Sequence, residues 1–307
     1  MYRTIIVGFD GSDQARDALA FAGALAKGTE AKVIAANVFQ YQGEVPLPGD
    51  EWLRFLRADA EQTVGLAQQA GMVEPDRLET KIFEAGSPAR GLHHLAEEVD
   101  ADLIVVGSSH RGRVGEVLAG SVGQRLLHGS SCPVAVAPSG LASRGLTEIG
   151  QIVVAFDGSA EAQHALEGAA ELAESTGARI RLAVVAEPPP IVYGKGAGAT
   201  AGAAELEKAI EQYMQAQLDS GLRSASSEAE VEGSVLRGEP VERLREAAAD
   251  ADVLVMGSRG YGPLRAVLLG SISAHLVRSA PCTVMVYPRG VEAPEAAEAE
   301  RKKASVG

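Results

Sequence analysis

Aromatic residues are scarce, at 4% of the 307-residue chain. Its core must therefore be built from Ala, Val, Leu and Ile, within a hydrophobic content of 46%. That content, beside 22% charged residues, describes a soluble globular protein, and the length suits two ordinary domains. Only two cysteines are present, Cys132 and Cys282, each placed just before a short apolar run. They read as small buried residues, not as a disulfide or metal pair. Positive charge is short as well: 28 Lys and Arg against 41 Asp and Glu, for a formal net charge of −13. That balance excludes a general nucleic-acid or anionic-membrane binder, although a local basic loop could still hold a phosphate. No apolar run reaches transmembrane length. The opening MYRTIIVGFDGS has an apolar patch that runs directly into Asp10, which is a strand and not a leader. Cytoplasm is the expected compartment. Catalytic signatures are missing too, with no Cys-x-x-Cys, no nucleophile elbow and no visible Ser/His/Asp arrangement. His93, His94, His128, His164 and His275 show no metal-ligand spacing.

The most informative stretch is residues 257–271, GSRGYGPLRAVLLGS. It follows the apolar run Val253 to Met256, which reads as a buried strand ending in a glycine turn. Gly257 and Gly260 remove Cβ atoms that would hold a ligand off the backbone. Ser258 and Arg259 line the loop, and Gly270-Ser271 precede a fresh helix that Ser271 is expected to cap. Strand end, glycine loop and helix N-terminus together form an anion cradle.

Residues 107–121, GSSHRGRVGEVLAGS, repeat this stretch 150 positions earlier, 257 against 107 and 270 against 120. Here His110 stands at the second glycine position, with Gly112 two residues on. Ser108, Ser109, Arg111 and Arg113 line this loop, and Glu116 is the only acid in either one. Ser121 and Gln124 have capping-box spacing. Phe156-Asp157-Gly158-Ser159 likewise copies Phe9-Asp10-Gly11-Ser12, and Asp250-Ala251-Asp252 copies Asp100-Ala101-Asp102. The chain is a tandem duplication.

In the first copy, a strand over 4–9 leads to a helix over 13–27 closed by Gly28, then a strand over 33–38 and a helix over 51–70. Strands over 78–84, 102–106 and 134–137 alternate with further helices. This alternation implies a parallel sheet with right-handed crossovers and a ligand at the carboxyl ends of the strands. Residues 139–150 read as a linker. The Pro-, Gly- and Ala-rich stretch from Pro188 to Gly202 is expected to be mobile, and its Gly194-Lys195-Gly196 fails the phosphate-loop pattern. The tail 292–307 is charged and Ala-rich, and is expected to be disordered.

The loop resembles the G-x-x-G-x9-G-[ST] motif of the universal stress protein family, complete at Gly257, Gly260, Gly270 and Ser271. The likeness spans nearly the whole chain as two copies, 1–140 and 148–291. It implies two open five-stranded parallel sheets with helices on both faces, Rossmann-like and akin to the adenine nucleotide alpha hydrolases. It also implies ATP, with or without Mg2+. Carried over residue by residue, the second site comprises Asp157, Gly158, Ser159, Val185, Gly257, Ser258, Arg259, Gly260, Gly270, Ser271 and Ile272. The first comprises Asp10, Gly11, Ser12, Val38, Gly107, His110, Gly120, Ser121 and Val122. The two Val contacts would be made by main chain. Family members are mostly binding and signalling proteins that dimerise through the last strand, which implies an internal pseudo-dimer here and allows a homodimer. A nucleotide-free interaction scaffold and an adenylate-using enzyme are the alternatives. His110 makes the second site the expected stronger one.

Overall fold

The computed structural model describes residues 2–40, 51–187, 197–225, 229–258 and 269–288, the side chains of 197–204 and 207 excepted. The first half alternates β1 (Thr4–Gly8), α1 (Asp13–Thr29), β2 (Lys32–Phe39), α2 (Glu51–Gln69), β3 (Leu78–Glu84), α3 (Pro88–Glu98), β4 (Leu103–Gly107), α4 (Ser121–Leu127) and β5 (Val134–Ala137). The second half follows with β6 (Gln151–Ala155), α5 (Ala160–Thr176), β7 (Arg179–Ala186), α6 (Ala197–Ser224), β8 (Val231–Arg237), α7 (Pro240–Ala247), β9 (Val253–Gly257), α8 (Ser271–Leu276) and β10 (Thr283–Tyr287). Residues 188–196, with Gly194-Lys195-Gly196, and the tail lie outside the described residues. From Ala197, part of the stretch expected to be mobile is helix α6.

Within each half the strands run parallel in the order 3-2-1-4-5, so the direction of winding reverses between β1 and β4, and between β6 and β9. The two five-stranded sheets join through their last strands. Strands β5 and β10 pair antiparallel, Val284 opposite Val136 and Met285 opposite Ala135, and the result is one ten-stranded sheet. Both strands are apolar and fully buried. Unpaired, each would leave its ladder of N–H and C=O groups open along an apolar edge.

Strand sequences are apolar on both sides because both faces are covered. Ile5 and Val7 enter the core under α1 and α5, whereas Ile6 enters the opposite core under α3 and α4. Each core draws residues from both halves. The repeated Asp-Ala-Asp secures the strand starts. Asp102 Oδ2 accepts from Arg3 N and Thr4 N at β1, and Asp252 Oδ2 from Gly150 N and Gln151 N at β6. The linker is tied down too, since Asp17 accepts from Gly140 N and Ala142 N, both at 2.8 Å. Burial raises the Asp17 pKa, and these two donors pull it back.

Helices α1 and α5 begin at Ser12 and Ser159, whose hydroxyls accept from Ala15 N and Ala162 N. Their ends differ from expectation. Gly28 does not close α1; Glu30 does, in the left-handed conformation at φ 61°, where the second copy has Gly177. Gly28 serves close packing instead: a Cβ there would lie 2.6 Å from Thr176 Cγ2, at the end of α5. Gly65 of α2 has nothing within 4 Å of such a Cβ. Gly28→Val is therefore expected to lower stability by about 1–3 kcal/mol, and Gly65→Ala to raise it by about 0.5–1 kcal/mol. Denaturant melts of the two variants check both signs.

Candidate functional site

At the carboxyl ends of the strands in each half, beside the reversal in strand order, lies a pocket. The second-half pocket has a volume of about 450 Å3 and the first about 280 Å3. In the second, Asp157 and Ser159 stand at the end of β6, Val185 at the end of β7, Gly257 at the end of β9, and Gly270, Ser271 and Ile272 at the start of α8. In the first, Asp10, Ser12, Val38, Gly107, His110, Gly120, Ser121 and Val122 line the corresponding places. Arg259 and Gly260 lie outside the described residues. Gly11 and Gly158 line neither pocket among the described residues. They turn the chain into α1 and α5 at φ 79° and 76°, a conformation that glycine adopts without steric cost.

Both Asp side chains are organised by the turn that follows them. Asp10 Oδ1 accepts from the Ser12 amide and hydroxyl, and Asp157 Oδ1 accepts from the Ser159 amide at 3.0 Å. Both are exposed at the pocket mouth. The helix starts depart from expectation. Gly120 and Gly270 are the N-caps and make no side-chain cap bond, so Ser121 and Ser271 are the first helical residues. Gln124 Nε2 reaches back to Ala119 O, which is not a capping box. Leaving these first turns without a side-chain cap keeps their amides available to a ligand.

Gly107 and Gly257 are also reinterpreted. A Cβ at Gly107 would lie 2.0 Å from Gln14 O, and one at Gly257 would lie 2.5 Å from the Glu161 carbonyl carbon. Both glycines line their pockets by backbone, but their missing side chains admit the first turns of α1 and α5. Gly120 is different, since its Cβ would make only ordinary contacts with Ser109.

In the first half the glycine loop folds back on itself. Ser109 N donates to Leu118 O, Gly112 N to Ser109 O, and the buried Ser108 hydroxyl bonds Ala137 O and Leu118 N. His110 is exposed and does not take a positive φ, so its backbone is unstrained. Arg111 and Arg113 are not among the residues that line the pocket, and Arg111 is exposed. The loop is then fastened to the other half: Val117 N donates to Ala280 O and Ala119 N to Val277 O, while Arg245 bonds Ser279 O and Glu116 Oε1. In the second half, Ser258 is fully buried and its hydroxyl finds no partner among the described residues. Among the pocket residues that escaped sequence reading are Ile210, Tyr213 and Met214 of α6. Their helix has no motif, and nothing in its pattern announces which face meets the pocket.

Among the described residues no cluster of His, Cys, Asp and Glu could hold a metal ion, and no helix is long and apolar enough to cross a membrane. The family model for universal stress proteins matches residues 1–138 and 148–288. The chain belongs to the universal stress protein family. A universal stress protein of Mycobacterium tuberculosis (strain ATCC 25618 / H37Rv) is 30% identical over 206 residues, 66% of this chain and 69% of its own. One from Thermus aquaticus is 33% identical over 137 residues, 44% of this chain and 96% of its own, so it spans a single repeat. The crystal structure of a universal stress protein from Archaeoglobus fulgidus DSM 4304 matches with a TM-score of 0.64 at 23% identity, over 94% of this chain and 98% of that one. At that identity the likeness concerns the fold.

Two outcomes follow for this universal stress protein. Gly107→Ala and Gly257→Ala are expected to lower the melting temperature without any ligand, by several degrees or more, because the clash is with backbone. Gly120→Ala should leave it nearly unchanged, and thermal scans of the three check this. Burial also pushes the Cys132 and Cys282 thiols up to about 11 and about 12. Both are free and buried, so at about pH 8 neither should react with a thiol reagent until the protein is denatured.

Proposed function

We propose that this universal stress protein binds an adenine nucleotide, ATP, and that its second half, within domains bounded at 1–140 and 148–291, holds the stronger site. One observation carries the reading. Asp157 and the side-chain-uncapped first turn of α8 face a single pocket of about 450 Å3 at the point where the strand order reverses. A carboxylate accepts hydrogen bonds from ribose hydroxyls, and amides at a helix start attract phosphate oxygens. Val184, Val185, Leu244 and Met256 supply an apolar wall for a base. Asp157 and Glu187, which also line the pocket, are the carboxylates that could meet a Mg2+ carried by the triphosphate.

The protein acts as a nucleotide-responsive binder and not as a catalyst. No histidine or cysteine lines the second pocket among the described residues, and the Asp157 carboxylate beside Ser159 accepts from that residue's amide. The first pocket is smaller and carries His110, Gln14 and Asn37 on its wall, which makes it the weaker nucleotide site.

Denaturing the purified protein and identifying released nucleotide tests the reading directly. Calorimetric titration with ATP tests the ranking of the halves. Gly270→Val puts a branched side chain at the mouth of the second cradle at φ −61°, a conformation valine tolerates. It is expected to abolish most ATP binding, whereas Gly120→Val should remove less. Equal losses, or the reverse order, would defeat the assignment to the second half.

A further inference from the structure

The two pockets differ most in a wall that only one of them has. Helix α6 brings Ile210, Tyr213 and Met214 to the second pocket, whereas its counterpart α2 brings no described residue to the first. The aromatic side chains of these two helices are also used differently. On α2, Trp52 and Phe55 stack on each other with ring centroids 5.4 Å apart. On α6, Tyr213 lines the pocket at 59% exposure, and no described ring packs on it. A large ring kept at a pocket wall without an aromatic partner has area to offer a ligand. Neighbouring positions point the same way. Val184 stands in the second half where the first has Asn37, whose amide is tied to Phe9 O, and Met256 stands where the first has Val106.

We infer that Tyr213 is a specificity-determining residue: its ring is the surface on which an aromatic base lies, so the second pocket selects ligands that carry a base over bare polyphosphate. The inference rests on the nucleotide reading above and adds to it the element that discriminates. Stacking of a base on an aromatic ring is sequence-tolerant, because every base has a π-face. The wall therefore favours nucleotides as a class, and Asp157 and the α8 start then orient the sugar and phosphates. The first pocket is lined by the polar side chains of Gln14, Asn37, Ser109 and His110; its rings are the buried Phe9 and the smaller imidazole of His110, so it offers a base less area than Tyr213 does and discriminates less between nucleotide and polyphosphate.

The test uses the full chain, with ATP and inorganic tripolyphosphate as calorimetric probes of wild type, Tyr213→Ala and Tyr213→Phe. Tyr213→Ala is expected to weaken ATP by about tenfold or more and to leave tripolyphosphate unchanged. Tyr213→Phe keeps the ring and should retain ATP affinity within about twofold, since stacking does not use the hydroxyl. Wild-type ATP affinity in Tyr213→Ala would overturn the inference while leaving the nucleotide reading intact. An equal loss for both probes would also overturn it, because a wall that acts only by packing cannot distinguish them. No ATP binding by the wild-type chain would overturn the nucleotide reading, and this inference with it.

Discussion

Strands β5 and β10 would each leave an apolar edge open to water if the two halves folded apart, and their antiparallel pairing removes both edges at once. Everything else in the molecule is placed relative to that seam. It makes one sheet of ten strands, draws α1 and α5 into contact across the centre, and lets each hydrophobic core run through both halves. The seam is closed at the chain ends as well. Tyr2 and Tyr287 are buried against each other through their hydroxyls, with Met285 accepting from Tyr2, and burial holds both phenols well above their usual range.

The halves have diverged around the seam in compensating ways. Tyr287 of the last strand is admitted because position 168 is Gly, where a Cβ would meet its hydroxyl at 1.9 Å. The first half has Phe21 and Ala137 at the corresponding places, a large helix residue and a small strand residue, both fully buried. Volume is conserved across the pair while its distribution is exchanged, as close-packed interiors require. The loop over the first pocket shows the same asymmetry. Arg245 reaches from α7 to Glu116 and Ser279, and thereby ties residues 116–119 to the turn after α8. Leu269, the described counterpart of Ala119, makes no such backbone bond to the described residues of the other half. Because α8 also walls the second pocket, the loop of the first site and the wall of the second meet at one short helix.

Much of this was legible in residues. The duplication, the strand–helix alternation and most of the pocket positions follow from repeated short motifs, because the period of apolar residues and the turn residues at strand ends are local signals. The glycines were legible only as present. Gly28, Gly107 and Gly257 each looked like a stop or a ligand cradle. In the fold they are places where another helix comes too close for a Cβ. Ser121 and Ser271 looked like caps and are instead the first helical residues, one position inside the helix.

The sequence by itself determined the family, the α/β alternation, the tandem arrangement and which ends of the strands would carry a site, since each depends on residues near one another in the chain. Tertiary structure alone decided the antiparallel register in which β5 and β10 join the halves, and that Asp17 holds the linker through Gly140 and Ala142. It also decided that Ile210, Tyr213 and Met214 wall only the second pocket. Each of those contacts joins segments distant in sequence. Which face of α6 meets the pocket depends on the packing of the whole helix against β7 and β8, and no short stretch of its residues encodes that.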